Sequence, residues 1–220
     1  MRKIALDGPS GAGKSTIAKA LAEKLGYIYV DTGAMYRCIG LYILRTGTDP
    51  KDESAVTEKL SEIRLDLRYE NGEQNMYLNG ENVTGLIRTS EVSAYASSVS
   101  AIRSVRAFLL DAQRGMAKEH DVIMDGRDIG TVIFPDADVK FFVTVSVEAR
   151  ARRRQRELAA KGENLSIEEV KRAIEERDRK DSTRDIAPAV PADDAVMLDN
   201  SGDLDEVINK ALTIIKEKIK

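Results

Sequence analysis

The order of apolar segments predicts an α/β fold: about five parallel strands flanked by helices, interrupted by a small antiparallel β insert. Three observations carry this. The apolar run at residues 3–6 ends at a glycine-rich loop, and an amphipathic helix follows. Two later runs, 122–124 and 139–145, show no polar alternation, as expected of strands covered on both faces. From about Arg64 the texture changes to strict polar–apolar alternation bracketed by Asn-Gly pairs.

Taken in order, residues 14–25 place Ile17, Ala18, Leu21, Ala22 and Leu25 on one helical face, with Gly26 as the stop. A second strand spans 28–30, and a helix spans 34–44 with Gly47 beyond it. The alternating segments at 64–69 and 74–78, with turns at Asn71-Gly72 and Asn79-Gly80, predict a meander of about three strands. Residues 89–119 read as two helices, and the strand at 122–124 ends at Asp125. A strongly basic helix covers 148–161, and Ser166 with Glu169 forms a capping box for the next helix. A last short strand spans 195–198, and Asp203 with Glu206 opens the final helix.

Composition narrows the classes. The 220 residues suffice for one sizeable core with an insert. A net charge of −3 gives no overall pull toward nucleic acid. Cys38 is the sole cysteine, so no intrachain disulfide is possible, and its apolar helical setting predicts a buried, inert thiol. His120 is the sole histidine, which excludes a multi-histidine metal site, and it is expected at the surface near a helix end. The N-terminal residues lack the apolar stretch of a signal peptide, and no run approaches the ~20 apolar residues of a spanning helix. A cytoplasmic protein with no membrane contact is expected. No surplus apolar helix face is evident, so a monomer is expected.

Gly8-Pro9-Ser10-Gly11-Ala12-Gly13-Lys14-Ser15 fits G-x-x-x-x-G-K-[ST]. Glycines let backbone N–H groups turn toward phosphate oxygens, and the helix behind adds the positive end of its dipole. Lys14 suits the β- and γ-phosphates of ATP, and the Ser15 hydroxyl suits Mg²⁺. A plain glycine loop between strand and helix is the alternative, but the strand before and the helix after favour a nucleotide site in a P-loop three-layer fold. A GTPase would carry N-K-x-D, yet Asn209-Lys210 continues as Ala-Leu. Asp199-Asn200-Ser201-Gly202 matches D-x-x-G but lies too near the C-terminus for a switch. A small phosphotransferase remains.

Such an enzyme joins two anions and needs fixed cations, for which the planar guanidinium suits best. The second half supplies Arg150, Arg152, Arg153, Arg154 and Arg156, then Arg177, Arg179 and Arg184. Taken together they suggest a lid over phosphates, while a solvated helix face or a nucleic-acid patch stays open for each arginine of the 150–156 run. Asp125-Gly126-Arg127-Asp128-Ile129-Gly130 follows an apolar strand, and strand ends of that kind meet the ligand crevice. There Asp125 suits Mg²⁺ through water, Arg127 a phosphate and Asp128 a base. A tight turn with a helix cap is the alternative.

These segments occur in order with 31–37 (Asp-Thr-Gly-Ala-Met-Tyr-Arg), Ile87-Arg88-Thr89, 125–135 and 176–184. Together they resemble the bacterial cytidylate kinases over essentially the whole chain, β insert included. The resemblance implies roles. Gly8, Pro9, Ser10, Gly11, Ala12, Gly13, Lys14, Ser15 and Thr16 would hold ATP, with Arg153 from the lid. Arg37, Arg127 and Arg184 would hold the acceptor phosphate, with the Thr32 hydroxyl, where serine is commoner in the family. Tyr36 falls in the same acceptor motif. Arg177 and Asp181 would approach the ribose, and Ser97, Arg106 and Asp128 would read the base. The implied regions are a core of 1–31, 120–146 and 185–220, an acceptor region of 32–119 with the insert at 63–86, and a lid at 147–184.

The chemistry fits independently. Cytosine presents an amino group where uracil presents a carbonyl, so the Asp128 carboxylate accepts from one and repels the other, while Arg106 donates to ring acceptors. The expected reaction is ATP plus CMP or dCMP giving ADP and the diphosphate, with Lys14, Arg127 and Arg184 as catalytic groups. Two alternatives remain open. The same fold could serve another acceptor, UMP or a shikimate-like alcohol. The chain could instead be a non-catalytic nucleotide sensor or a nucleic-acid-binding protein.

Overall fold

A computed structural model of the chain describes residues 1–70, 73–160 and 162–219. The chain falls into two compact units, Met1–Tyr29 with Glu119–Lys220, and Val30–Lys118.

In the first unit, β1 (Lys3–Asp7) leads through the glycine loop into α1 (Lys14–Leu25). A C-terminal αL glycine, Gly26 at φ 71°, ends that helix as the sequence predicts. β2 (Ile28–Asp31) follows. The strands β6 (Val122–Asp125), β7 (Val139–Thr144) and β8 (Val196–Asp199) complete a five-stranded sheet of order β2-β6-β1-β7-β8. β1 pairs in parallel with β6 and β7, and β7 with β8. The unpatterned apolar runs therefore are strands covered on both faces. Ile4, Leu6, Ile123, Val139, Phe141, Val143 and Leu198 share a core with Ile17 and Leu21 of α1 and with Val207, Ile208 and Ile215 of the last helix, α8 (Leu204–Lys218). Asp203 caps α8 by accepting from Asp205 N and Glu206 N.

Two more helices belong to this unit. α6 (Val147–Ala159) is capped by Ser146, and α7 (Ile167–Thr183) opens with the predicted Ser166–Glu169 capping box. The predicted last residue of the basic helix, Lys161, lies outside the described residues. α6 and α7 pack on each other through Ala151, Leu158, Val170 and Ile174.

The second unit is centred on α2 (Thr32–Arg45), which packs against α4 (Ser90–Val99), with α3 (Glu53–Lys59) and α5 (Arg103–Glu119) beside them. The insert is the predicted meander: β3 (Leu65–Glu70), β4 (Glu73–Leu78) and β5 (Glu81–Asn82) in antiparallel order. Its first turn, Asn71-Gly72, lies outside the described residues. Asn79 adopts φ 50° and Gly80 φ 88°, the pair of positive values a type I′ hairpin demands. Met76 and Leu78 turn into the core of the unit with Ile39, Ile43 and Ile87.

Cys38 is fully buried, and burial pushes its thiol up to about 12. His120 is exposed directly after α5. Among the described residues no helix is long and apolar enough to cross a membrane.

α2 and α4 approach closely at Gly40, where an added Cβ would lie 2.8 Å from Ala96 N and 3.2 Å from Val92 O. Backbone cannot yield as a flexible side chain can. Gly40→Ala is therefore expected to destabilise the protein by about 1–3 kcal/mol, despite the better helix propensity of alanine, as read by urea denaturation.

Candidate active site

The α-helices α2, α3, α4, α6, α7 and α8 each open on a side chain that accepts from the first turn; α1 does not. Gly13, at φ 85°, stands at its head. The start of α1 thus presents backbone donors without a side-chain acceptor, as an anion site requires. Lys14 is buried and donates to Pro9 O at 2.8 Å, so its ammonium folds back across the loop. Burial, then the nearby Arg127 charge, bring it from 10.5 down to about 7, against the pull of Asp125 and Asp7. Phosphate charge would reverse that balance.

Ser15 Oγ donates to Asp125 Oδ2 at 3.0 Å, and the Tyr29 hydroxyl donates to the other carboxylate oxygen at 2.8 Å. A hydroxyl and a carboxylate side by side are hard oxygen donors of the kind Mg²⁺ takes. Among the described residues no group of three or more His, Cys, Asp or Glu could hold a metal by itself. The pair fits Mg²⁺ only as a partial shell, completed by water and phosphate oxygens, which is how that ion is commonly bound.

Beyond β6 the chain forms a π-type turn at Ile129–Ile133. Asp128 precedes it and makes no side-chain cap, so the capping alternative for this residue does not hold. Its carboxylate lies 3.7 Å from the Arg184 guanidinium, and both groups are at least nine-tenths buried. Arg184 Nε donates to Ala187 O at 2.7 Å. Arg127 Nε donates to Asp181 Oδ2 on α7 at 3.0 Å. Four predicted residues, Arg127, Asp128, Asp181 and Arg184, are thereby joined in two ion pairs. Arg177 lies near enough for its charge to weigh on Lys14.

The arginine run of α6 divides. Arg150 is buried, with Nε donating to Val145 O and Nη1 to Ser10 O at 3.1 Å, and it pairs with Asp178 of α7 at 2.6 Å. Arg153 Nη2 donates to Asn200 O at 3.1 Å. Arg154 pairs with Glu157, while Arg152 and Arg156 are exposed. The solvated-face alternative holds for the last two and fails for Arg150.

In the second unit, Asp31 caps α2 through Ala34 N and holds both Arg37, at 2.9 Å, and Arg88, at 3.2 Å. Gln74 of the insert accepts from Asp31 N at 2.8 Å. Arg106 is buried, stacks 5.6 Å from the Tyr36 ring centroid, and donates to Ser100 O. Thr32 is buried and Ser97 is half-buried.

A sequence profile of the cytidylate kinases matches residues 4–217. The chain belongs to the cytidylate kinase family. The cytidylate kinase of Lactobacillus johnsonii is 47% identical across 100% of this chain and 96% of its own length. That of Geobacter sulfurreducens is 48% identical across 98% and 93%. Among solved structures, an uncharacterized protein from Eubacterium ventriosum shares the fold at a TM-score of 0.54 and 11% identity, covering 98% of this chain and 99% of that one. The resemblance read from the motifs is thus borne out at the level of the cytidylate kinase family.

Sequence reasoning missed several residues around these groups. Asp7 accepts from Ile129 N at 2.8 Å and Gly130 N at 2.7 Å. Asn200 Nδ2 donates to Ala12 O at 2.8 Å, where only a D-x-x-G match had drawn notice. Asp31 holds Arg37 and Arg88, and Asp178 holds Arg150. An acidic residue at the end of β1 and another directly after Arg177 were the available signals.

Burial pushes the Asp7 carboxyl from 3.8 up to about 6, against the two amide bonds. A carboxyl raised on folding binds its proton more tightly in the native state. Its contribution to stability is therefore full below pH ~4 and is lost as pH rises to about 6. Relative to Asp7→Asn, the parent is expected to lose up to about 3 kcal/mol across that window. Urea midpoints of both proteins from pH 3.5 to 7.5 check it.

Proposed function

We propose that this protein transfers the γ-phosphoryl group of ATP to CMP or dCMP, giving ADP and CDP or dCDP. The observation that carries this reading is the Asp128–Arg184 and Arg127–Asp181 pairing beside the glycine loop of a cytidylate kinase family member. Partly buried arginines balanced by carboxylates form a preorganised cation site that an incoming phosphate can take over without large reorganisation.

The donor is cradled by Gly8, Pro9, Ser10, Gly11, Ala12, Gly13, Lys14, Ser15 and Thr16, with Arg153 reaching from α6. Ser15 and Asp125 would hold Mg²⁺, which when bound neutralises charge on the β- and γ-phosphate oxygens. Arg37, Arg127 and Arg184, with the Thr32 hydroxyl, hold the acceptor phosphate. Arg177 and Asp181 approach the ribose, Tyr36 flanks the acceptor through its stack on Arg106, and Ser97, Arg106 and Asp128 read the base. Catalysis is positioning and charge neutralisation around an in-line displacement. The attacking acceptor phosphate oxygen is largely ionised at neutral pH, so no general base is required. Lys14 regains its full charge against the phosphates and stabilises the charge on the transferring group.

ADP release with CMP, dCMP, UMP, AMP and GMP tests the whole reading. Fast turnover is expected with CMP and dCMP and little with the rest. Turnover with UMP equal to that with CMP would defeat the base-reading assignment, and none with any nucleotide would defeat the reaction. Within this assay Asp128→Ala is expected to raise the KM for CMP by about tenfold or more, the cost of an unpaired buried donor or acceptor, with the KM for ATP little changed.

A further inference from the structure

A turn that opens on aspartate ordinarily uses that aspartate, whose side chain folds back to accept from the N–H groups just beyond it. Asp128 heads the turn Ile129–Ile133 and does not do so. The first two amides of the turn, Ile129 N and Gly130 N, donate instead to Asp7, one to each carboxylate oxygen, at 2.8 and 2.7 Å. Asp7 is buried at the end of β1, 122 positions away from Gly130's neighbour in the chain. The Asp128 carboxylate meanwhile faces Arg184.

We propose that Asp7 is a specificity-positioning residue of the acceptor site. By taking the amides at the head of the turn, it keeps the Asp128 side chain off its own backbone and turned toward the acceptor base. The inference rests on the base-reading role of Asp128. Both Asp7 oxygens accept, so a carboxylate is required; an asparagine offers one acceptor and presents its NH₂ to the other donor. With Asp7 removed, two buried N–H groups lose their acceptors, and the Asp128 side chain is the acceptor that sequence places beside them. An Asp128 carboxylate recruited to that task no longer discriminates cytosine from uracil. Packing holds the turn in place: a Cβ at Gly130 would lie 3.0 Å from Lys140 Cδ and 3.4 Å from Asp7 Oδ2.

The experiment measures kcat/KM for CMP and for UMP, and the KM for ATP, in the parent, Asp7→Asn and Asp128→Ala. Asp7→Asn is expected to shrink the CMP-to-UMP ratio by about tenfold, the scale of one misplaced polar contact. Its KM for ATP should move less than about threefold. A ratio lost in Asp128→Ala but kept in Asp7→Asn overturns the positioning role alone. A ratio kept in Asp128→Ala removes the base-reading role and this inference with it. Equal losses for ATP, CMP and UMP in Asp7→Asn also overturn it, because Asp7 would then serve the adjoining glycine loop. Should Asp7→Asn not fold, Gly130→Ala, which presses on the same contact, takes its place with the same expected and overturning ratios. Failure of both to fold would assign these bonds to stability and overturn the proposal.

Discussion

A loop that turns its N–H groups toward a ligand must turn carbonyls the other way, and those carbonyls need donors from the protein. Here three side chains supply them. Lys14 takes Pro9 O, Arg150 takes Ser10 O, and Asn200 takes Ala12 O. The donors come from α1, from α6 and from the segment after β8, so the loop's shape is set by parts of the chain far apart in sequence. Asn200 is itself held by its own N–H to Thr144 O at the end of β7. The parallel sheet thereby fixes the strand ends from which the loop is gripped, and the first unit's polar residues gather around that requirement.

The apolar packing of the first unit is uneven. The sheet shares a large aliphatic cluster with α1 and α8, whereas α6 and α7 share the small cluster of Ala151, Leu158, Val170 and Ile174, with Val147 and Ile167 against it. Elements with little apolar burial sit at the low end of local stability. What ties this helix pair to the loop is polar: Arg150 with Ser10 O and Asp178, and Arg153 with Asn200 O. Polar links of this sort exchange partners at smaller cost than a packed core rearranges, which suits helices whose arginines are proposed to bind phosphate.

Much of this was legible because it is local. The unpatterned strands, the Gly13-Lys14 loop, the αL stop at Gly26 and the Ser166–Glu169 box each depend on neighbours within a few residues. The insert was legible because alternation and Asn-Gly pairs coincide at residues 64–80. α3 was missed, since its seven residues carry little periodicity, although Asp52 capping Ala55 N marks its start. The chain divides after Tyr29 and after Lys118, and α6 and α7 are counted with the first unit. The arginine run shows why side-chain roles are harder. Arg150, Arg152 and Arg156 look alike in sequence, and only the helical phase against α7 and the loop buries the first and exposes the others. Asp7 was missed for a related reason: a carboxylate that serves amides more than a hundred positions away leaves no spacing to recognise.

Cys38 carries a last consequence. It is the chain's one sulfhydryl, shielded on every side within α2 and held in its protonated form across the range in which alkylating and maleimide reagents work. The native protein therefore presents a chemically silent background. A cysteine introduced on the outer face of α6, at Arg152 or Arg156, would accept a fluorophore alone, and helix displacement during turnover would be visible without first removing any natural residue.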